Sequence, residues 1–167
     1  MNETKTLVLN HKQVQQKITR MAYEIYERNV GEAGVVVAGI SGMGYRLALL
    51  LAKKLEEISP LKVEIMEVKL DKFAVVQGEV VLSKVFDLED HCLILVDDVL
   101  NTGKTLAYAL KPFLEIPIRK IEIAVLVNRS HKLFPVTADY TGFALATTLS
   151  ERIAVDLEGE NYTVHLH

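Results

Sequence analysis

The chain has 167 residues, half of them hydrophobic, and a formal net charge of −3. That length and apolar content fit one domain over residues 1–167 with its own core, and the mild acidity argues against strong, unspecific nucleic-acid binding. The lone cysteine, Cys92, excludes an internal disulfide and suits a reducing, cytoplasmic compartment; the polar start through Lys5 is not a signal peptide, and no apolar run is long enough for a membrane span.

The apolar run Leu7 to Leu9 opens the chain, and Asn10 follows as a helix cap. Val14, Ile18, Met21, Ala22, Ile25 and Tyr26 then recur at helical spacing, which predicts a helix ending near Gly31. Residues 34–40 form an apolar run rich in β-branched residues, the pattern of a strand buried on both faces. A glycine-rich turn, Ser41-Gly42-Met43-Gly44, leads into a helix carrying Leu47, Leu50, Leu51 and Leu55 and stopped by Pro60. A strand over 63–68 follows, then a hairpin over 74–82 around Gln77-Gly78. Leu93 to Val96 reads as another buried strand. A helix starts near Lys104 and must kink or end at Pro112; a strand covers 121–127, and short strands and turns complete the chain. Strand and helix alternate, so the natural architecture is α/β: a parallel sheet covered on both faces, with ligands at the carboxyl ends of its strands.

The segment from Leu93 to Thr105 carries the chemistry. Its strand leads to two adjacent carboxylates, Asp97 and Asp98, which are costly together unless they meet water, hydroxyls or a metal ion. Ribose hydroxyls can donate to them, and Mg²⁺ held through water would offset their charge. After Asn101 comes Thr102-Gly103-Lys104-Thr105 at a helix start. There Gly103 permits close backbone approach, the first amides lack helical partners, and the threonines add hydroxyl donors. Carboxylates for a sugar followed by amides for a phosphate suit a ribose 5-phosphate. A Walker A loop would need glycine where Asp98 stands, and a solvated strand end before a capped helix does not explain the whole segment. The five histidines show no metal-ligand spacing.

This segment closely resembles the 5-phosphoribosyl-1-pyrophosphate (PRPP) signature of type I phosphoribosyltransferases. Residues 19–29, 124–131 and 138–142 are similar to the bacterial pyrimidine-operon attenuation regulators (the PyrR family), which also act as uracil phosphoribosyltransferases. The resemblance implies the type I fold: a mostly parallel sheet of about five strands, helices on both faces, and a small hood. It implies PRPP with Mg²⁺, a nucleobase or nucleoside monophosphate, RNA and a second copy of the chain as partners. It assigns Asp97 and Asp98 to the ribose, and Asn101 and Thr102 to Thr105 to the ribose and 5-phosphate. Ser41 to Gly44 and Arg46 go to the pyrophosphate, Arg129 to catalysis beside it, and Tyr140 and Thr141 to the base.

Three departures shape the functional expectation. The pyrophosphate turn of the family carries Lys-Thr-Arg-Gly, whereas Ser41 to Gly44 holds no cation and Arg46 is the nearest. The closing loop carries a Tyr-Arg-Asp-type run where Leu70-Asp71-Lys72 stands here, and Tyr23 and Thr137 replace a histidine and an arginine typical of the RNA face. The expectation is a transferase making UMP from uracil and PRPP with weakened catalysis. The alternative is a PRPP- or nucleotide-sensing regulator of pyrimidine genes with little turnover. Purine salvage is a third reading; Asn101 stands where purine enzymes commonly place an aspartate.

Overall fold

In a computed structural model, which describes residues 4–71, 79–83 and 87–167, the strands alternate with helices as the periodicity predicts. β1 (Thr6–Leu9) precedes α1 (His11–Arg28), and Asn10 caps the helix with a reciprocal box in which the Asn10 side chain and Gln13 each accept the other's backbone N–H. β2 (Gly34–Ile40), α2 (Met43–Ile58) and β3 (Lys62–Lys69) follow. β4 (Val81–Leu82), β5 (Cys92–Leu100), α3 (Lys104–Ala109), α4 (Lys111–Leu114) and β6 (Lys120–Asn128) continue the chain. It closes with β7 (Tyr140–Ala144), β8 (Ile153–Asp156) and β9 (Thr163–Leu166).

The main sheet runs β4-β3-β2-β5-β6-β7, parallel throughout except for β4, which pairs antiparallel with β3. This is the expected parallel architecture with one added edge strand. The buried runs divide by parity. Val35, Val37, Ile94 and Val96 pack with α1 and α2 on one face, while Val36, Ala38, Leu93 and Leu95 pack with Leu106, Ala109 and Phe113 on the other. The helix after Lys104 breaks at Leu110 and restarts with Pro112 in its first turn, where the missing N–H costs nothing. A separate antiparallel sheet, β1-β9-β8, joins the two ends of the chain and forms the small hood.

Two sequence expectations shift, and a third falls largely outside the described residues. The glycine-rich turn is shorter than 41–44: Met43 and Gly44 already form the first turn of α2, after Gly42 at φ 90°. The strand expected to end at Val96 continues to Leu100, because β6 pairs with it up to Leu100 although β2 stops at Val96. The hairpin over 74–82 lies largely outside the described residues; within that span Val81 and Leu82 form β4, which pairs with β3.

A candidate ribose-phosphate site at the end of β5

Asp97 and Asp98 sit where β5 outruns β2, so one side of the strand loses its neighbour there. Asp97 is 2% exposed, and its Oδ1 accepts the Asp98 backbone N–H at 2.9 Å. Asp98 is half-buried. A cavity of about 170 Å³ opens beyond them, lined by Asp97, Val99, Leu100 and every residue from Asn101 to Leu106. The glycine-threonine loop named from the sequence thus borders one concavity with Asp97, while Asp98 lies outside its lining.

The loop is held from behind. The Thr102 carbonyl accepts N–H groups from Leu133 at 2.8 Å and Phe134 at 3.1 Å, and the Leu100 carbonyl accepts that of Arg129 at 3.0 Å. Gly103 adopts φ 86°, a left-handed conformation that disfavours a branched side chain. The Thr102 hydroxyl accepts the Lys104 amide at 3.2 Å, which fixes the start of α3.

The turn after β2 lies beside this loop. A Cβ on Gly44 would fall 2.8 Å from Asp97 Oδ1 and 3.1 Å from Asp97 Cα, so the start of α2 rests directly on Asp97. On its other flank the Ser41 hydroxyl donates to Glu67 Oε2 at 3.0 Å. Arg46 donates through Nη2 to the Leu157 carbonyl at 3.4 Å, and its buried Nε has no partner among the described residues. The turn is therefore bracketed by carboxylates from β3 and β5, and the cation nearest to it in sequence, Arg46, is drawn toward the hood. Glu67 carried no sequence signal, since one glutamate in a half-buried strand is common.

Two assigned side chains belong to other structures. Tyr140 is fully buried; its hydroxyl donates to Glu122 Oε2 at 2.8 Å and the Arg28 guanidinium lies 5.0 Å from its ring centre. It packs in the core, and burial with the Glu122 hydrogen bond pushes its pKa up. Thr141 is held in β7, and its carbonyl accepts from Arg20 at 3.3 Å. The Arg129 guanidinium, 7% exposed, donates to Thr147 Oγ1, the Thr148 carbonyl and the Glu151 carbonyl at 2.6–3.2 Å. His131 joins the same segment through the Thr147 carbonyl at 2.6 Å. Both residues pin the rim loop 147–151 to the end of β6. Ala144 and Ala146 are exposed there. Of the closing-loop residues, Leu70 and Asp71 are described and Lys72 lies outside the described residues.

Comparison with known proteins adds to this geometry. Residues 6–158 match the model of the phosphoribosyl transferase domain. A protein of Geobacter sulfurreducens named bifunctional protein PyrR is 37% identical over 164 residues, covering 93% of this chain and 93% of that protein. A Clostridium acetobutylicum protein of the same name is 36% identical over 163 residues, covering 93% and 92%. The hypoxanthine phosphoribosyltransferase of Trypanosoma cruzi matches in fold with a TM-score of 0.75 at 16% identity, covering 84% of this chain and 82% of that one. Among the described residues no helix is long and apolar enough to cross a membrane.

Proposed function

Because this chain belongs to the phosphoribosyl transferase family, and within it to the proteins named bifunctional PyrR, we propose that it transfers the phosphoribosyl group of PRPP to uracil, and does so slowly. The observation that carries the reading is the cavity at the end of β5, where Asp97 meets the Asn101–Leu106 backbone around a left-handed Gly103. In this reading the carboxylates of Asp97 and Asp98 accept the ribose hydroxyls. The amides and hydroxyls from Thr102 to Thr105 receive the 5-phosphate, and the first amides of α2 face the pyrophosphate.

A base nitrogen then bonds to the anomeric carbon as the bond to pyrophosphate breaks; the electron pair leaves with the pyrophosphate, and the nitrogen gives up its proton to water or to the departing pyrophosphate. The protein's part is to align the reactants, exclude water and stabilise the departing charge. The Asp97 oxygens suit an ion that keeps water and phosphate ligands, and no cluster of three or more His, Cys, Asp or Glu forms a dedicated metal cage among the described residues. Mg²⁺ would therefore arrive with PRPP, neutralise its diphosphate, and be held by Asp97 and Asp98 through water. With Tyr140 in the core, we assign the base to the rim segment 144–147, where Ala144 and Ala146 are exposed and Leu145 and Thr147 half-buried.

The test is PRPP consumption with Mg²⁺ and a panel of bases. Uracil should give UMP at a rate low for such enzymes; absence of both turnover and binding of PRPP or UMP overturns the reading. A sensor with no turnover is the second reading, favoured by the engagement of Ser41 with Glu67 and of Arg46 with Leu157. It predicts binding without consumption. A cytoplasmic, homodimeric protein is the setting we propose for either.

A further inference from the structure

We propose that Glu67 is a specificity-determining residue of this site, making it hold nucleoside 5′-monophosphates more tightly than PRPP. The inference rests on the ribose-phosphate reading above and concerns the half of the site that reading leaves weakest. Glu67 is fixed by its own backbone: its N–H donates to Ser83 Oγ at 2.8 Å and its carbonyl accepts the Ser83 N–H at 2.9 Å. That clamp sets its carboxylate against the turn, where Oε2 takes the Ser41 hydroxyl at 3.0 Å. The Ser41 amide and hydroxyl also meet the Val68 carbonyl, at 2.9 and 3.2 Å, so the turn is tied to β3 rather than open on that side.

No ion pair offsets Glu67 among the described residues; pairs such as Arg20–Glu24, Lys54–Glu57 and Arg119–Glu32 lie elsewhere in the fold. Since Asp97 borders the same turn through Gly44, a diphosphate seated at the start of α2 enters between two carboxylates. The cation nearest in sequence, Arg46, has Nη2 on the Leu157 carbonyl. A nucleoside monophosphate puts its only phosphate in the Thr102–Thr105 loop and brings no anion to the turn. Like charges a few ångströms apart near a protein surface differ enough in energy to change affinity roughly five- to tenfold.

The experiment is calorimetric titration of the full chain with UMP and with Mg²⁺-PRPP, comparing wild type with Glu67→Gln. The glutamine carbonyl still accepts the Ser41 hydroxyl, so the turn keeps its anchor while the charge is removed. The wild type should bind UMP more tightly than PRPP. Glu67→Gln should gain roughly five- to tenfold for PRPP and stay within about twofold for UMP. Equal gains for both ligands, or an unchanged ratio in Glu67→Gln while the wild type binds both, overturns the role of Glu67 and spares the site. A wild type that binds neither ligand overturns the ribose-phosphate reading, and this inference with it.

Discussion

Two acidic groups on this one sheet live in opposite surroundings. Glu122 lies under α1, and its carboxylate is met by donors: Asn29 Nδ2 at 3.0 Å, the Tyr140 hydroxyl at 2.8 Å and Lys120 Nζ at 3.5 Å. The Cys92 thiol completes the group by donating to Asn29 Oδ1 at 3.1 Å. Asp97 and Asp98 instead stand where β5 has lost its β2 neighbour, and Asp97 borders a cavity that Lys104 also lines. The first arrangement is closed on itself and acts as a polar rivet between α1, β5, β6 and β7. In the second, Asp97 borders the cavity and Asp98 lies just outside its lining.

Breaking Glu122 should cost the most. Glu122→Ala leaves a buried amide and a buried phenol without their acceptor, and we expect a loss of about 3–5 kcal/mol in urea unfolding. The increment in Tm from UMP or PRPP should survive in the folded fraction. If stability holds while the increment vanishes, the division between rivet and site is wrong. Gly103→Val comes next. Its left-handed φ penalises a branched residue by about 1–3 kcal/mol, and the added Cβ would sit 3.4 Å from the Phe134 carbonyl oxygen. Thermal shift should show no response to PRPP or to UMP, with an apo Tm only moderately lowered.

The contrast also explains what the sequence could and could not reveal. The loop from Asn101 to Thr105 is legible because its residue types do the work through the backbone: a glycine for a left-handed turn and amides at a helix start are specified locally. Tyr140 and Arg129 sit in stretches that match the family, yet matching says nothing about where a side chain points. One is committed to Glu122 and the other to the loop 147–151. Glu122 interrupts an apolar strand, Ile121 to Val127, and that break in pattern was the available signal for a buried polar cluster. The hood sheet pairs β1 with β9 across the whole chain, a non-local contact that periodicity cannot encode.

A pH test sharpens the closed half. Burial pushes the Cys92 thiol from 9.0 up to about 11. The unfolded chain then releases this proton near pH 9 and the folded one near pH 11, so the folded state binds more protons between them and stability falls as pH rises. The loss should reach at most about 2–3 kcal/mol. Cys92→Ser keeps a donor for Asn29 and does not titrate, so its stability should be flatter over this window in urea unfolding. The comparison is cleanest below pH 10, the ordinary value for tyrosine, above which the raised Tyr140 phenol adds to the alkaline loss. Identical slopes in the two proteins would mean that the thiol reaches water before the fold opens.

The smallest effect belongs to the open half. Asp98 is half-buried beside Asp97, and its backbone N–H is tied to the Asp97 carboxylate. Asp98→Asn keeps that backbone bond and removes one of two crowded charges, so apo stability should stay level or rise slightly. Ligand binding should move the other way, because a ribose hydroxyl loses a charged acceptor and keeps a neutral one, a difference of about 1 kcal/mol. The expected signature is therefore a reduced Tm increment with PRPP on an unchanged or raised apo Tm. Opposite signs on stability and binding are what a ligand-facing carboxylate gives. A drop in apo stability with an intact increment would instead assign Asp98 to the scaffold and leave Asp97 as the acid that faces the sugar.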